Sequence, residues 1–354
     1  MDKYKSRYFI AVVMSALLWI LSQCSYAVTI DKIVTFGDSL SDNGNIYTFT
    51  RAAHKVLPVV PIIPQNPPYH EGRFSNGNVW VELLAHAMDV RLVDHAYGGS
   101  WIESVWDSSQ IVPFSLSQQV NFYLVENVLD FHKDRHLFVI WSGANDYLQG
   151  REDIEYATDN SVKELKKNME SLIYHNARTL LVLTLPDLSQ LPEIMQKGPD
   201  AVLTAKKLSE THNRKLLAMI DDLRKKNDKA KIVVVDIMPY FRDAILHPEN
   251  FRLKNVKDAC FGGGYYLDPK LMNMQEVKAA KDINLDLMTN VSLRTAYMNA
   301  KLALLGNNVC EAPDEYMFWD QVHPTRIIHQ VIAILALTVL NENDVYGPDS
   351  KGIV

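Results

Sequence analysis

A three-layer α/β/α sandwich around a parallel sheet is the fold this sequence predicts, on three observations. Short runs of apolar and β-branched residues recur along the chain, as expected of strands buried on both faces. Stretches of helical periodicity lie between them, and such alternation implies parallel strands joined by right-handed crossovers. Polar blocks follow three of the runs, at the carboxyl ends where ligands bind in sheets of this kind.

The strand-like runs cover residues 30–36, 90–94, 136–141, 179–185 and 231–237, and helical patterns cover 78–88, 161–175, 201–226 and 326–340. The last of these is interrupted by His329 and Gln330. It is shorter than the roughly 20 apolar residues a membrane span needs, so it reads as a core helix. The proline-rich patch at 58–68 is a loop. Between 238 and 318 the alternation fails, and this segment is an insertion with helical spacing over 273–305. Its Gly262-Gly263-Gly264 lacks both the preceding strand and the following lysine of a phosphate loop, and reads as an irregular turn.

Length alone, 354 residues, allows one domain or two. No repeat, charge run or Pro/Ser linker divides the chain, and its chemistry-bearing blocks lie at both ends, so 28–354 reads as one domain. Residues 1–27 have the layout of an export signal: Lys3, Lys5 and Arg7, an apolar stretch, then Ser25-Tyr26-Ala27 as a small-x-small cleavage site. Cys24 falls in the discarded peptide. Removal of three basic side chains and Asp2 makes the net charge of −6 more negative by two. An acidic protein is a poor match to nucleic acid, whose binders are usually basic. Cys260 and Cys310 remain, and an even pair in an exported protein reads as a disulfide, with two buried free thiols as the alternative.

The chemistry concentrates in four blocks. Gly37-Asp38-Ser39-Leu40-Ser41-Asp42-Asn43-Gly44 follows Ile33-Val34-Thr35-Phe36, and Asp320-Gln321-Val322-His323-Pro324 follows Phe318-Trp319. A serine hydroxyl needs an imidazole to take its proton, and the imidazole needs a carboxylate to hold its tautomer. Ser39, His323 and Asp320 supply these three parts, and a spacing of three lets one turn carry both acid and base. Between them stand Tyr97-Gly98-Gly99-Ser100 and Ser142-Gly143-Ala144-Asn145-Asp146. Position 41 is serine, so the nucleophile elbow of α/β-hydrolases is absent and a more open site is expected.

In the order serine, glycine, asparagine, histidine, the blocks resemble the SGNH (GDSL-type) hydrolases, with flavodoxin-like sheet topology. The two ends of the chain are similar to the bacterial secreted lysophospholipases A and glycerophospholipid:cholesterol acyltransferases. The resemblance implies Ser39 as nucleophile, His323 as base and Asp320 as its orienter. The implied oxyanion hole consists of the Ser39 and Gly99 N–H groups and the Asn145 amide, with Gly98 the alternative glycine. It implies no cofactor and no metal. Its partners would be a phospholipid or lysophospholipid substrate, a sterol as alternative acyl acceptor, peripheral membrane contact and a protease acting on the insertion. The implied location is extracellular, with the periplasm or outer surface as alternatives.

Rival readings are weighed alongside. Asp243 and His247-Pro248 form a second acid–histidine pair, at a spacing of four and without an aromatic pair directly before the acid, as Phe318-Trp319 stand before Asp320. His132 and His136 have metal-like spacing, but they lead into a strand and have no matching third ligand nearby. Trp101, Trp106, Trp141, Tyr147, Phe318 and Trp319 lie close to the blocks and suit either an acyl chain or plain packing. The insertion runs directly into Asp320 and is placed to border the site as a lid. A carbohydrate acetylesterase on the same scaffold and a non-catalytic lipid- or glycan-binding module remain the alternative functions.

Overall fold

The structure is a computed structural model that describes residues 28–102, 115–148, 153–261, 272–283, 285–304 and 309–348. Strands β1 (Lys32–Gly37), β2 (Arg91–Asp94), β3 (His136–Trp141), β4 (Thr179–Leu183) and β5 (Lys231–Val235) form one parallel sheet in the order β2-β1-β3-β4-β5. After β2 the chain returns to the other side of β1. The order therefore reverses between β1 and β3, where such sheets open a binding crevice.

Side chains alternate across this sheet. Ile33, Leu137, Val139, Leu181 and Val233 belong to one core cluster, and Val34, Phe138, Ile140, Leu180 and Val182 to another. The first face is covered by α2 (Trp80–Ala87) and α11 (Arg326–Glu342), the second by α3 (Leu116–Glu126), α5 (Ile154–Tyr174) and α7 (Pro199–Lys226). Both faces being covered explains why the strands read as continuous apolar runs. Three further helices, α1 (Asn45–Val56), α4 (Ala144–Leu148) and α6 (Pro192–Gln196), stand beside the carboxyl edge.

The five expected strands are those of the sheet, with ends shifted for local reasons. Before β1, Val28–Thr29 pairs with Val345–Tyr346 as a separate ribbon, so the sheet starts at Lys32 and not at residue 30. After β5, the Ile237 N–H turns to Thr184 Oγ1 and opens α8 (Ile237–Leu246), ending the strand two residues early. Helix α5 begins at Ile154, seven residues before the periodicity suggests, because Asp153 accepts from the Tyr156 N–H and caps a polar first turn.

The insertion has its own arrangement: α8, then β6 (Asn255–Ala259), α9 (Met274–Asp282), α10 (Val291–Leu304) and β7 (Tyr316–Phe318), with β6 and β7 paired in parallel. Cys260 and Cys310 are joined across 50 positions of sequence. A third core cluster forms here, in which Leu293, Ala296 and Tyr297 of α10 pack with Ile46, Phe74 and Trp319. The insertion is thus anchored to the carboxyl end of the sheet. The expected leader at 1–27, Trp106 and the triple glycine at 262–264 lie outside the described residues. Among the described residues no helix is long and apolar enough to cross a membrane.

Candidate active site

Ser39 stands two residues past β1, in a turn where the N–H groups of Ser41 and Asp42 bond back to the Asp38 carbonyl. It does not cap a helix, since α1 begins only at Asn45. The rest of its block does structural work. Asp42 accepts from the N–H groups of Gly44 and Asn45 on one oxygen and of Gly98 on the other, the last at 2.7 Å. Asp94 accepts from the Asn43 N–H, and the Asn45 amide donates to the carbonyls of Asp94 and Ala96. Asp42 and its neighbours thereby stitch the serine block to the glycine block.

His323 and Asp320 follow β7 on a tight turn in which the His323 N–H donates to Asp320 Oδ1 at 2.8 Å. The imidazole Nδ1 lies 2.7 Å from Asp320 Oδ2, and Nε2 lies 2.8 Å from Ser39 Oγ. A carboxylate only accepts, so the proton sits on Nδ1 and Nε2 is the acceptor facing Ser39. The Phe74 ring packs against the imidazole with centroids 5.0 Å apart. The rival pair is elsewhere: Asp243 and His247 are both exposed, and His247 faces Glu249 at 3.8 Å. His136 is a buried core histidine near Tyr123, and no metal-holding cluster occurs among the described residues.

Asn145 lies at the start of α4. Its Nδ2 donates to the Ser100 carbonyl at 2.9 Å, and its Oδ1 accepts from Ser292 Oγ at 2.8 Å. Gly99 has φ of +80°, and a Cβ there would meet the Asn290 amide at 2.7 Å and Leu293 at 2.8 Å, so only glycine fits. The two glycines differ in use. Gly98 commits its N–H to Asp42, whereas the N–H groups of Gly99 and Ser39 have no acceptor among the described residues.

Burial shapes the electrostatics. Desolvation pushes the Asp38 carboxyl up to about 7 and that of Asp42 up to about 6, and raises Asp94 well above the usual carboxylate range. Burial drives His329, beneath the site, down to about 3. It stays neutral there, where its Nδ1 accepts from the Trp80 N–H at 3.2 Å.

Ser39, Asn145 and His323 face a cleft walled by Leu148, Leu188, Leu191, Phe241 and Val322, together with Trp141 and Phe318. Of the aromatic candidates among the described residues, only those two line it. Trp319 instead stacks on Phe261, and Tyr147 turns its hydroxyl to His212. Leu148 ends α4 and Val322 lies within the Asp320–His323 block, whereas Leu188 and Leu191 come from the segment after β4 and Phe241 from α8, and no motif marks these last three. Two further groups escape a sequence reading. Tyr69, just after the proline-rich loop, donates to Asp320 Oδ2 at 2.7 Å, and Asn299 of α10 donates to the Tyr69 hydroxyl at 3.1 Å. No pattern in the sequence marks either.

A parallel sheet bearing these four blocks in this order along its carboxyl edge defines the class of SGNH-type α/β/α hydrolases. The chain belongs to the GDSL-like lipase/acylhydrolase family, whose model matches residues 33–335, and is a carboxylic ester hydrolase. It is 29% identical over 320 residues to a phosphatidylcholine-sterol acyltransferase of Aeromonas hydrophila, covering 87% of this chain and 90% of that protein. It is 24% identical to the thermolabile hemolysin of Vibrio parahaemolyticus and 28% identical to the secreted effector protein SseJ of Salmonella typhimurium. Each match takes in 86% of this chain and 62% of the relative.

Proposed function

We propose that the protein hydrolyses acyl esters of phospholipids, above all lysophospholipids, through an acyl-enzyme on Ser39. His323 Nε2 takes the hydroxyl proton as Ser39 Oγ attacks the carbonyl carbon, while Asp320 holds the imidazole and stabilises its cation. The tetrahedral oxygen is received by the N–H groups of Ser39 and Gly99 and by the Asn145 Nδ2 proton not given to Ser100. His323 then returns the proton to the departing glycerol oxygen. A water activated by the same imidazole releases the fatty acid, and a sterol hydroxyl in its place gives a sterol ester.

The observation that carries this reading is the hydrogen-bonded series Ser39, His323, Asp320 opening onto an apolar cleft of leucines and aromatic rings. Such a wall suits an acyl chain better than an acetylated sugar. A non-catalytic module has no use for a base, an orienter and unpartnered N–H donors in one place. The relative named as a phosphatidylcholine-sterol acyltransferase supports the lipid substrate and the sterol acceptor. The leader-like residues 1–27 and the relative named as a secreted effector support export.

The test is product release from phosphatidylcholine, lysophosphatidylcholine and acetylated xylan, with and without cholesterol, by wild-type protein and Ser39→Ala. Fatty acid from the lysophospholipid, absent in the variant, is the expected result. Acetate release from xylan with no fatty acid from either lipid favours the acetylesterase, and no release from any substrate favours the binding module.

A further inference from the structure

Helix α10 of the insertion touches the site at three separate points. At its start, Ser292 Oγ donates to Asn145 Oδ1 at 2.8 Å, and Asn290, the residue just before the helix, donates from Nδ2 to the Gly99 carbonyl at 2.7 Å. Two turns on, Asn299 reaches the Tyr69 hydroxyl that holds Asp320. Ser292, Asn290 and Asn299 are all buried. An ion pair from Arg294 to Glu193 at 3.2 Å pins the same helix to α6, whose Glu193 N–H bonds the Gln321 carbonyl beside Asp320.

We propose that Ser292 and Asn290 are positioning residues for the oxyanion hole, so that the insertion completes the site where a lid would merely cover it. The inference rests on the hydrolase reading above. Consider first what Asn145 needs. Its amide can rotate by half a turn with little intrinsic cost, and the flipped form would aim an oxygen where the oxyanion develops. The Ser292 hydroxyl on Oδ1 and the Ser100 carbonyl on Nδ2 together select one orientation, because a hydroxyl donates well to an amide oxygen and a carbonyl cannot accept from one. One Nδ2 proton remains for the substrate.

Gly99 poses a related problem. Its φ of +80° is open to glycine alone, and glycine is also the residue freest to leave it. Its N–H direction is held from both sides. Upstream, the Gly98 N–H is bound by Asp42 at 2.7 Å; downstream, the Ser100 N–H bonds the Tyr97 carbonyl and Asn290 grips the Gly99 carbonyl. Asn290 can do this because its other amide atom, Oδ1, accepts from the Leu293 N–H in the manner of a helix cap, which fixes which end is the donor. Donors aimed in advance at the developing charge are what such a hole contributes, and their loss lowers kcat more than it raises KM.

The experiment measures kcat and KM on a short-chain p-nitrophenyl ester for wild type, Ser292→Ala, Asn145→Ala and the double variant, and for Asn290→Asp. The last keeps the cap acceptor and removes the donor to Gly99. Losing one oxyanion donor costs about 10²- to 10³-fold, so Ser292→Ala should lose kcat by about 10-fold or more, with KM changed less than about twofold. In the Asn145→Ala background the same change should cost less than about twofold, since a residue acting through Asn145 has nothing left to orient. Asn290→Asp should lower kcat likewise, with far-ultraviolet circular dichroism unchanged. Full kcat in both Ser292→Ala and Asn290→Asp overturns the proposal. So does a multiplicative loss in the double variant, the signature of a merely structural serine. Active wild type with these outcomes overturns the positioning role alone; inactive wild type on every ester overturns the hydrolase reading, and this one with it.

Discussion

The Tyr69 hydroxyl donates to Asp320 Oδ2 at 2.7 Å, joining the loop before α2 to the turn before α11 across 251 positions of sequence. Burial and the neighbouring carboxylate both raise the Tyr69 phenol well above its ordinary range, so it stays a donor throughout the working pH range. Asp320 thus receives the Tyr69 hydroxyl, the His323 ring and the backbone N–H groups of Val322 and His323.

Tyr69→Phe removes one of these donors and leaves the ring's packing against Phe74 and Trp319 in place. A hydrogen bond to a charged group is worth about 1.5–3 kcal/mol. The variant should lose stability of that order in chemical denaturation and several-fold in kcat, with the smaller effect on KM. Unchanged stability and kcat would show that Asp320 is held without the phenol.

The choice between the two acid–histidine pairs has a direct kinetic test. His323→Ala and Asp320→Asn should each cut kcat severely, by up to about 10⁴-fold where the wrong tautomer results, while Asp243→Asn and His247→Ala leave it within about twofold. A fluorophosphonate should label Ser39, located by peptide mass spectrometry, at a rate that falls in the first two variants. Damage confined to the second pair would reverse the assignment.

Gly99→Ala places a Cβ against Asn290 and Leu293 at a backbone angle L-residues avoid. Strain of this type costs about 1–3 kcal/mol. The melting temperature should fall and kcat should drop by more than Ser292→Ala lowers it, because the Gly99 N–H proposed as an oxyanion donor is itself displaced. Wild-type kcat in Gly99→Ala would remove Gly99 from the site.

Reduction of the Cys260–Cys310 bridge bears on the lid expectation. The bridged segment contains α10, which holds Asn145 and Gly99, so loosening it disturbs geometry every ester needs. Rates on a short soluble ester and on a long-chain lysophospholipid should fall together on treatment with a thiol reductant. A loss restricted to the long-chain substrate would mark the insertion as a lid.

Asp38 lends the fold a pH dependence of definite sign. Its folded pKa of about 7 exceeds the ordinary 3.8, so the native state binds the extra proton and stability falls as pH rises between those values. The shift corresponds to at most about 4 kcal/mol. Asp38→Asn should therefore gain melting temperature over wild type progressively from pH 4 to pH 7, with the advantage constant above that. An advantage that shrinks with rising pH would mean a lowered pKa and an ionised, partnered carboxylate.

What the sequence determined unaided is the local part of this protein. The sheet was legible because residues buried on both faces must be apolar in unbroken runs, and Ser39, Gly99, Asn145, Asp320 and His323 were legible because each sits in a short block just past a strand or a turn. The carboxyl edge of a parallel sheet gathers such blocks without any long-range code. Tertiary structure alone decided the rest. Tyr69, Asn290, Ser292 and Asn299 carry no motif, since a single side-chain hydrogen bond to a distant partner leaves no periodicity behind. The aliphatic wall of the cleft is assembled from the ends of separate elements, where a leucine looks the same whether it faces a ligand or the core. The insertion read as a border to the site, and as a lid, because it runs directly into Asp320; only packing could show α10 wedged against Asn145, where burial of Leu293, Ala296 and Tyr297 pulls it in.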